Sequence, residues 1–450
     1  MFTVEEVAQY LGYEVSDQRV ITGIEFDSRA IQPGNLFVPL AGTRDGHEFV
    51  QQAVTNGAIA TLWSQAEITA PEEISVIAVP NVLQAFQQLA TIYRQKVQPK
   101  VVAITGSNGK TTTKDMTEAV LAQRYRTHKT QGNYNNEIGM PYTILHMPAD
   151  TEVLILEMGM DHAGDLQLLS TIAQPDIAAI TLIGEAHIEN LGSRAAIAQG
   201  KMEITQGLTS TGTLLMPADE PLLTPLVASL PQQVMTFGIG VGDLTATITE
   251  ELRDETSFII ADEAFTIPVL GSYNVKNALI AYGIGQLLAV PVEQIAAGLA
   301  HFHLTKNRTQ WHYTDAGVAI LSDVYNANPT AMGLVLDSFG KLPGYGRRFA
   351  VLADMLELGE ASTQMHAAMA NHISDCYDGL FLVGEQMDAL AKELEKRGST
   401  VTLQLYDVTE KAALIQDLQR ILQPQDMILL KGSNGMGLAE VVDSLVSSVN

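Results

Sequence analysis

Cysteine, basic residues and long apolar runs are all scarce in this chain of 450 residues. The single cysteine, Cys376, excludes an internal disulfide, because a disulfide needs two thiols. No run of about 18 apolar residues is present, so we expect no membrane-spanning helix. The opening residues, MFTVEEVAQYLGYEVSD, carry acids where a secretory signal needs a basic start and an apolar core. We therefore expect a soluble, cytoplasmic protein.

Positive charge is outnumbered two to one, since 26 lysines and arginines accompany 51 aspartates and glutamates and the net charge is −25. Such a chain offers no broad basic surface, which argues against nucleic acid and anionic lipid as partners. Any polyanionic ligand must then be held by a few local cations. What the chain does have is 46% hydrophobic residues, enough at this length for about three domains with separate cores.

The most informative stretch is VVAITGSNGKTTT, residues 101–113, in which an apolar run leads into glycines and then into a helix. The run predicts a buried strand, and Gly106 and Gly109 let the chain turn its N–H groups toward an anion at the helix N-terminus. Lys110 is placed to reach β- and γ-phosphates, and the Thr111 hydroxyl to bind Mg²⁺. The first glycine of the common pattern would stand where this chain has Ile104, so the motif is a shortened variant.

The residues expected to contact ATP in this loop are Gly106, Ser107, Asn108, Gly109, Lys110, Thr111 and Thr112. The alternative is an ordinary strand-to-helix turn. The order of strand, loop, Lys-Thr pair and helix favours the phosphate loop.

Residues 1–97 are predicted to form a small N-terminal α/β domain, because a helical pattern over 82–96 ends before Pro99. Polar residues stand at loop ends on either side of a predicted strand, LFVPL, where ligands are commonly bound. The candidates for this substrate-binding region are Ser28, Arg29, Asp45, Gly46 and His47. A solvated loop with an Asp–Arg pair is the alternative.

Residues 98–306 are predicted to form a central domain in which polar groups follow successive strands. Glu157 ends an apolar strand and suits a metal ligand beside a nucleotide, with a solvated acid as the alternative. His187 follows the next strand and should lie at the same sheet edge, where open α/β sheets bind ligands, although a lone histidine is more often structural.

Amide side chains mark two further segments of this central domain. Asn135 belongs to the polar stretch GNYNNEIGMP, which should line something polar, and it is a candidate for substrate binding. Asn274 and Asn277 begin an apolar helix, and their spacing places both amides near one face of its first turn, where we expect them to contact ATP. Between the two segments, residues 213–270 are rich in β-branched residues and turns, which predicts hairpins flanking the nucleotide sheet.

Residues 307–450 are predicted to form a C-terminal, doubly wound, Rossmann-like domain, because five apolar strands alternate with helical patterns. Leu304 to Arg308 is predicted to be the hinge before it. Asp323, Asn326 and Asn328 follow the first strand, and we expect Asp323 to reach a ribose and Arg308 the phosphates. The predicted fold class is therefore α/β with three domains, the central one a P-loop mononucleotide-binding domain.

The motifs that combine in this chain are DSRAIQPGNLFVPLAGTRDGHEF, TGSNGKTTTK, NYNNEIGMP, EMGM, GEAHIENLGS, LGSYNVKNALIA, DVYNANPTAM, VLADMLELG and LKGSNGMG. Together they resemble the Mur ligases of bacterial cell-wall synthesis over all three predicted domains. The YNANP and DMLELG stretches resemble the member that adds a D-alanyl-D-alanine dipeptide. One difference stands out, because the family usually has arginine where this chain has Asn434.

The resemblance implies an ATP-dependent peptide ligase of peptidoglycan precursor synthesis. ATP would phosphorylate the terminal carboxylate of a UDP-N-acetylmuramoyl-tripeptide, and the amine of D-alanyl-D-alanine would attack the acyl phosphate. It implies that the UDP substrate binds the first domain and ATP the second, while the third closes on ATP and binds the dipeptide near Asn326 and Asn328. A monomer is expected.

The resemblance also places Lys201 where Mur ligases have a lysine that becomes carbamylated. Adding CO₂ would turn its amine into an oxygen ligand of the kind Mg²⁺ prefers. Lys201, His187 and Glu157 would then hold a second Mg²⁺, while Thr111 serves the first. These three residues, together with Lys110, are the implied catalytic set. A lysine paired with Glu203 is the alternative.

Three other functions remain open at this point. The nearest is a sister Mur ligase that adds the third residue of the peptide. An unrelated P-loop ATPase or kinase is disfavoured because no second acidic base or switch segment stands out. A nucleotide-binding scaffold without activity is disfavoured because it needs no metal-centred carboxylate such as Glu157.

Overall fold

The computed structural model describes residues 2–64, 68–305, 308–344 and 346–447. Within these ranges the chain builds three sheets in succession along the sequence. The boundary predicted between residues 306 and 307 lies outside the described residues, and the one predicted after residue 97 stays a prediction. No helix in the described part of the chain is long and apolar enough to cross a bilayer.

The first sheet is built by residues 23–78. Its strands are β1 (Gly23–Glu25), β2 (Asn35–Phe37), β3 (Ala60–Trp63) and β4 (Ser75–Ala78), and the helices nearby are α1 (Val4–Tyr10), α2 (Val50–Thr55) and α3 (Val82–Val97). All four strands are parallel, in the order β1-β2-β3-β4. The helix predicted over 82–96 is confirmed, with the Asn81 side chain capping its first turn.

The central sheet has nine strands. They are β5 (Lys100–Thr105), β6 (Thr127–Lys129), β7 (Val153–Glu157), β8 (Ile177–Ile180), β9 (Thr213–Pro217), β10 (Gln233–Ile239), β11 (Leu244–Glu251), β12 (Thr256–Ile260) and β13 (Glu263–Ile267). The helices of this region are α4 (Lys110–Leu121), α5 (Gly139–Leu145), α6 (Asp165–Ala173), α7 (Ile188–Leu191), α8 (Arg194–Met202), α9 (Thr224–Val227), α10 (Ser272–Leu287) and α11 (Val292–Ala300).

The order of the central sheet is β13-β12-β11-β10-β9-β8-β5-β7-β6. The hairpins predicted over 213–270 are present as the antiparallel set β11, β12 and β13. In addition, β9 pairs in parallel with β8, and β10 in parallel with β9, so this region extends the nucleotide sheet itself. The parallel pairing follows from α7 and α8, which return the chain between β8 and β9.

The third sheet has six strands. They are β14 (Gln310–Tyr313), β15 (Ala319–Asp323), β16 (Arg348–Ala353), β17 (Gly379–Val383), β18 (Thr402–Tyr406) and β19 (Met427–Lys431). The helices are α12 (Pro329–Lys341), α13 (Ser362–Ala368), α14 (Met387–Lys396), α15 (Lys411–Ile421) and α16 (Leu438–Ser447). The order of the strands is β14-β15-β19-β16-β17-β18, and all of them are parallel except β14. This order confirms the predicted doubly wound fold.

The carboxyl ends of β5, β7 and β8 meet at one edge of the central sheet. In register, Ile104 lies beside Glu157 and Thr105 beside Ile180. These strands are buried over nearly every residue, which explains their continuous apolar sequence. Because β5 lies between β7 and β8, this edge is the place where open α/β sheets form a ligand crevice.

Candidate active site

The loop after β5 is shaped by two glycines that leave no room for a side chain. Gly106 has φ +149°, and a Cβ there would lie 1.8 Å from the Thr181 hydroxyl oxygen. Gly109 has φ +82°, and its Cβ would lie 2.6 Å from Oδ1 of Asn277. The Lys110 ammonium closes the loop by donating to the Gly106 carbonyl oxygen at 2.8 Å. The result is an anion cradle at the N-terminus of α4.

Cations from two domains meet at this loop. The Arg308 guanidinium donates to the Thr111 hydroxyl at 3.4 Å and lies 3.9 Å from the centre of the Tyr325 ring. The buried Nε of Arg308 has no hydrogen-bond partner among the residues that the structure describes. Burial lowers the pKa of Lys110, while the nearby Glu157 charge opposes that shift. Two cations are thus held where an anion would be received.

Glu157, at the end of β7, has one occupied and one free carboxylate oxygen. Oε1 accepts a hydrogen bond from the Asn135 amide at 2.9 Å. Oε2 is buried and receives no hydrogen bond from the described part of the chain, and the Lys114 ammonium lies 3.8 Å away. A buried carboxylate oxygen without a hydrogen bond is costly, and a cation would satisfy it. The donor set at this point therefore fits Mg²⁺.

His187 lies between two acids. Its Nδ1 is 2.7 Å from Oε2 of Glu357, on the third sheet's side, and 3.3 Å from Oδ1 of Asp161. Burial lowers the pKa of His187, and the charges of Asp161 and Glu357 oppose the shift. The imidazole is therefore placed by both domains.

Lys201 is buried in α8 with 1% exposure, which makes an unmodified ammonium costly. Burial, and then the charge of Lys110, bring the pKa of Lys201 well below its usual value. Glu203, the partner in the alternative interpretation, instead accepts the N–H of Gly164 with both carboxylate oxygens at 2.9 Å. The simple Lys201–Glu203 pair is therefore not what the structure shows.

These groups share one electrostatic environment without forming a ready-made metal centre. The pKa of His187 responds to the charges of Lys110 and Lys201, and that of Lys110 to Glu157. Among the residues that the structure describes, no three His, Cys, Asp or Glu side chains surround one ion position. The predicted ligand set of Thr111, Glu157, His187 and Lys201 is thus brought to one region, and its metal role stays a prediction.

A small cavity of about 60 Å³ lies between the central and third domains beside the phosphate loop. Its lining includes Asn108, Gly109, Thr112, Tyr273, Asn274, Asn277, Arg308, Asp323, Asn326 and Lys431. Asp323 receives the buried Lys431 ammonium at 2.6 Å, and Asn277 donates to Asn274 at 3.1 Å. Residues predicted to contact ATP, among them Asp323 for the ribose and Arg308 for the phosphates, therefore surround one crevice.

The third domain reaches the phosphate loop through the start of α12. The Asn328 side chain caps this helix by accepting the Ala331 N–H, and its amide donates to Oδ1 of Asn108 at 2.7 Å. Thr330 donates its N–H and its hydroxyl to Oε2 of Glu185 at 3.0 and 2.7 Å. Asn328 thus lies at the nucleotide loop, and its predicted contact with a dipeptide is untested.

The candidates in the first domain divide into two groups. Asp45 and His47 line a cleft, with His47 buried and its Nδ1 2.6 Å from Asp45, and Gly46 is buried between them. Ser28 donates to Gln52 at 2.8 Å, and Arg29 extends into solvent while paired with Asp27 at 2.8 Å. Neither Ser28 nor Arg29 is part of the lining of that cleft.

Several residues of the site had no role in the sequence interpretation. Asp161 and Glu357 face His187, Lys114 faces Glu157, and Thr330 binds Glu185. One signal was available, because Glu357 stands in the DMLELG stretch that follows β16. The contact itself joins segments too far apart in the chain to be read from local pattern.

Comparison with known proteins identifies the family. Residues 20–95 match the Mur ligase family catalytic domain, 104–285 the Mur ligase middle domain, and 307–434 the Mur ligase glutamate ligase domain. The chain is 42% identical over 437 residues to the UDP-N-acetylmuramoyl-tripeptide–D-alanyl-D-alanine ligase of Bacillus subtilis, covering 96% of this chain and 94% of the relative.

The chain belongs to the Mur ligase family. Two solved structures are similar to this Mur ligase over nearly its whole length. MurF from Acinetobacter baumannii has a TM-score of 0.88 and 30% identity, with 99% of this chain and 98% of that chain covered. MurF from Thermotoga maritima in complex with ADP has a TM-score of 0.84 and 26% identity, with 94% and 97% covered. The predicted family and fold are thereby confirmed.

Proposed function

We propose that this Mur ligase joins D-alanyl-D-alanine to a UDP-N-acetylmuramoyl-tripeptide in an ATP-dependent reaction. One observation carries the proposal: the phosphate loop with Lys110 lies beside the buried Glu157 carboxylate. The chain is also similar over nearly its whole length to a UDP-N-acetylmuramoyl-tripeptide–D-alanyl-D-alanine ligase. Phosphate transfer to a substrate carboxylate needs such an arrangement, because two anions, ATP and that carboxylate, must be held against each other.

The reaction has two bond exchanges. The γ-phosphoryl group of ATP passes to the terminal carboxylate of the tripeptide, which forms an acyl phosphate and releases ADP. The dipeptide amine then attacks the acyl carbon, a C–N bond forms, the C–O bond to phosphate breaks, and the amine proton goes to solvent. Lys110 and Arg308 neutralise the charge on the transferred group, so positioning and electrostatics provide most of the catalysis.

We also propose Mg²⁺ as cofactor, in two sites held by Thr111 and by Glu157, His187 and Lys201. When bound, Mg²⁺ would neutralise phosphate charge and orient the acceptor carboxylate. The Glu157 oxygen without a hydrogen bond supports this ligand set. The lowered pKa of Lys201 supports carbamylation, because the neutral amine is the form that adds CO₂ and releases a proton.

The three domains are proposed to divide the substrates. Residues 1–97 would bind the UDP moiety around Asp45 and His47, residues 98–306 would bind ATP, and residues 307–450 would close on ATP and bind the dipeptide. We further propose a cytoplasmic monomer, since each predicted site is built from one chain. Solution scattering with an ATP analogue and the UDP substrate should show compaction, and sedimentation should show one subunit.

Phosphate release from ATP tests the function directly. The assay pairs each UDP-muramoyl peptide with each candidate amine, and release is expected only with the tripeptide substrate and D-alanyl-D-alanine. Release with a dipeptide substrate and a single amino acid would identify the sister ligase instead. Phosphate release that needs no amine would identify an ATPase, and ADP formation without phosphate release would identify a kinase.

A further inference from the structure

Glu357 and His187 meet across the interface between the third and central domains. Oε2 of Glu357 lies 2.7 Å from Nδ1 of His187. A second bond joins the same segments, because the Glu189 N–H donates to the Glu357 carbonyl oxygen at 3.1 Å. Main chain and side chain of Glu357 are therefore both engaged by the segment that carries the histidine.

Both residues have a left-handed backbone, with φ +63° at Glu357 and +61° at His187. This conformation is unfavourable for a residue with a Cβ and persists only where surrounding contacts hold it. The loop before Glu357 supplies such contacts. The Met355 N–H donates to His366 and the Leu356 N–H to the Ser433 hydroxyl, both at 2.9 Å. The third domain thus presents this carboxylate on a fixed loop.

We propose that Glu357 is a positioning residue that orients the imidazole of His187 and fixes its tautomer. A carboxylate beside Nδ1 accepts a hydrogen bond from the Nδ1–H and so keeps the proton on that nitrogen, which leaves the lone pair of Nε2 for a ligand. The inference rests on the proposed function, in which His187 binds Mg²⁺. Because Glu357 belongs to the third domain, the histidine reaches its binding form only when the third and central domains are in contact.

Asp161 is the competing partner of the same nitrogen, at 3.3 Å. It lies on the central domain, as His187 does, and would hold the ring in every arrangement of the domains. Glu357 is closer and is joined to the histidine's segment by a second hydrogen bond. These two observations favour Glu357 as the group that sets the tautomer.

The test is ¹⁵N NMR of the His187 ring in the full-length protein with a non-hydrolysable ATP analogue bound, because the third domain is proposed to close on ATP. The variants are Glu357→Gly, Asp161→Ala and Glu360→Gln. Glycine suits the left-handed backbone, so Glu357→Gly should unfold at an unchanged or higher temperature while losing at least half of the Nδ1-protonated form. Glu360→Gln removes an exposed acid from the same loop and should leave the spectrum unchanged, as should Asp161→Ala.

An unchanged His187 spectrum in Glu357→Gly, or an equally large change in Asp161→Ala, would overturn the inference. A second measurement is the Mg²⁺ concentration for half-maximal turnover, which should rise at least about tenfold in Glu357→Gly and not in Glu360→Gln. The NMR result needs no turnover. A wild-type protein that fails to ligate the dipeptide would therefore refute the proposed function without altering the tautomer result.

Discussion

Thr305 donates two hydrogen bonds to Oδ2 of Asp115, from its N–H at 3.1 Å and from its hydroxyl at 2.8 Å. Asp115 is buried in α4, the helix that begins at the phosphate loop, and Lys129 pairs with its other oxygen at 3.0 Å. Arg308 follows three positions after Thr305 and contacts Thr111. The connection into the third domain is thereby tied to the helix that begins with Lys110.

Thr305→Val should weaken the binding of ATP, because it loosens the segment that positions Arg308. The change removes the hydroxyl bond at nearly constant shape, and a hydrogen bond to a charged group contributes about 1.5 kcal/mol, so we expect the KM for ATP to rise about tenfold. Thr305→Ser keeps the hydroxyl and is the control. In an Arg308→Ala background, Thr305→Val should not raise the KM for ATP further. A further rise of about tenfold there would show that Thr305 acts independently of Arg308.

Lys110→Ala should remove most turnover while leaving the fold intact. Removal of one preorganised group that stabilises transition-state charge lowers kcat by about 10²–10³. The matched control is Lys100→Ala, since Lys100 is an exposed lysine at the start of β5 paired with Asp176. Stopped assays of phosphate release with all substrates present measure both variants. Near-normal release by Lys110→Ala would place the phosphate site elsewhere.

Arg29→Ala should weaken the binding of the UDP substrate and leave the binding of ATP unaffected. Arg29 extends into solvent and pairs with Asp27, which leaves the exposed side of its guanidinium available to a diphosphate. We expect the KM for the UDP substrate to rise about tenfold, as for the loss of one charge-assisted contact. Arg19→Ala, which breaks the similar pair with Asp17 in the same domain, should change neither constant. Equal KM values in wild type and Arg29→Ala would reject the assignment.

Asn328→Asp should separate a nucleotide role from a dipeptide role. Aspartate keeps the cap on α12 but loses the donor to Asn108 and brings a negative charge to the phosphate loop. We expect a higher KM for ATP and an unchanged KM for D-alanyl-D-alanine. A higher KM for D-alanyl-D-alanine with an unchanged KM for ATP would instead support the dipeptide contact predicted for Asn328 from the sequence. Steady-state kinetics with each substrate varied in turn decides between them.

Lys201→Ala should lose most activity and regain part of it when acetate or formate is added. The small carboxylate would supply the oxygen that a carbamylated lysine provides, at the cavity left by the side chain. Lys201→Arg should not be rescued, because the guanidinium fills that space with the wrong charge. Mass spectrometry of the intact wild-type protein in CO₂-containing buffer should show the added CO₂. Turnover by Lys201→Ala without any carboxylate would refute the role.

The local structure around the candidate site could be predicted from the sequence where it depends on neighbouring residues. The order of strand, glycines, Lys110 and Thr111 specifies a phosphate loop within thirteen residues, and Glu157 is recognisable because it ends an apolar strand. The doubly wound third domain followed from regular alternation. Short strands such as β1, β6 and β14 were missed, because three or four residues that are only partly apolar produce no clear period.

Contacts between distant segments could not be predicted in the same way. Glu357 meets His187, and Asp115 meets Thr305, only after the domains pack. The burial of Lys114 also went unpredicted, since the residue appears in sequence as an ordinary helix lysine. Local pattern carries no information about which strand end faces which helix across an interface.

The two glycines of the phosphate loop also limit how this protein can change by mutation. Every missense change at Gly106 or Gly109 adds a Cβ, which would lie within 2.6 Å of Thr181 or Asn277. An inhibitor could bind mainly through the main-chain N–H groups of this loop. A substitution at either glycine that disturbed those contacts would therefore also damage the enzyme. Resistance to such a compound would have to arise at other positions around the crevice.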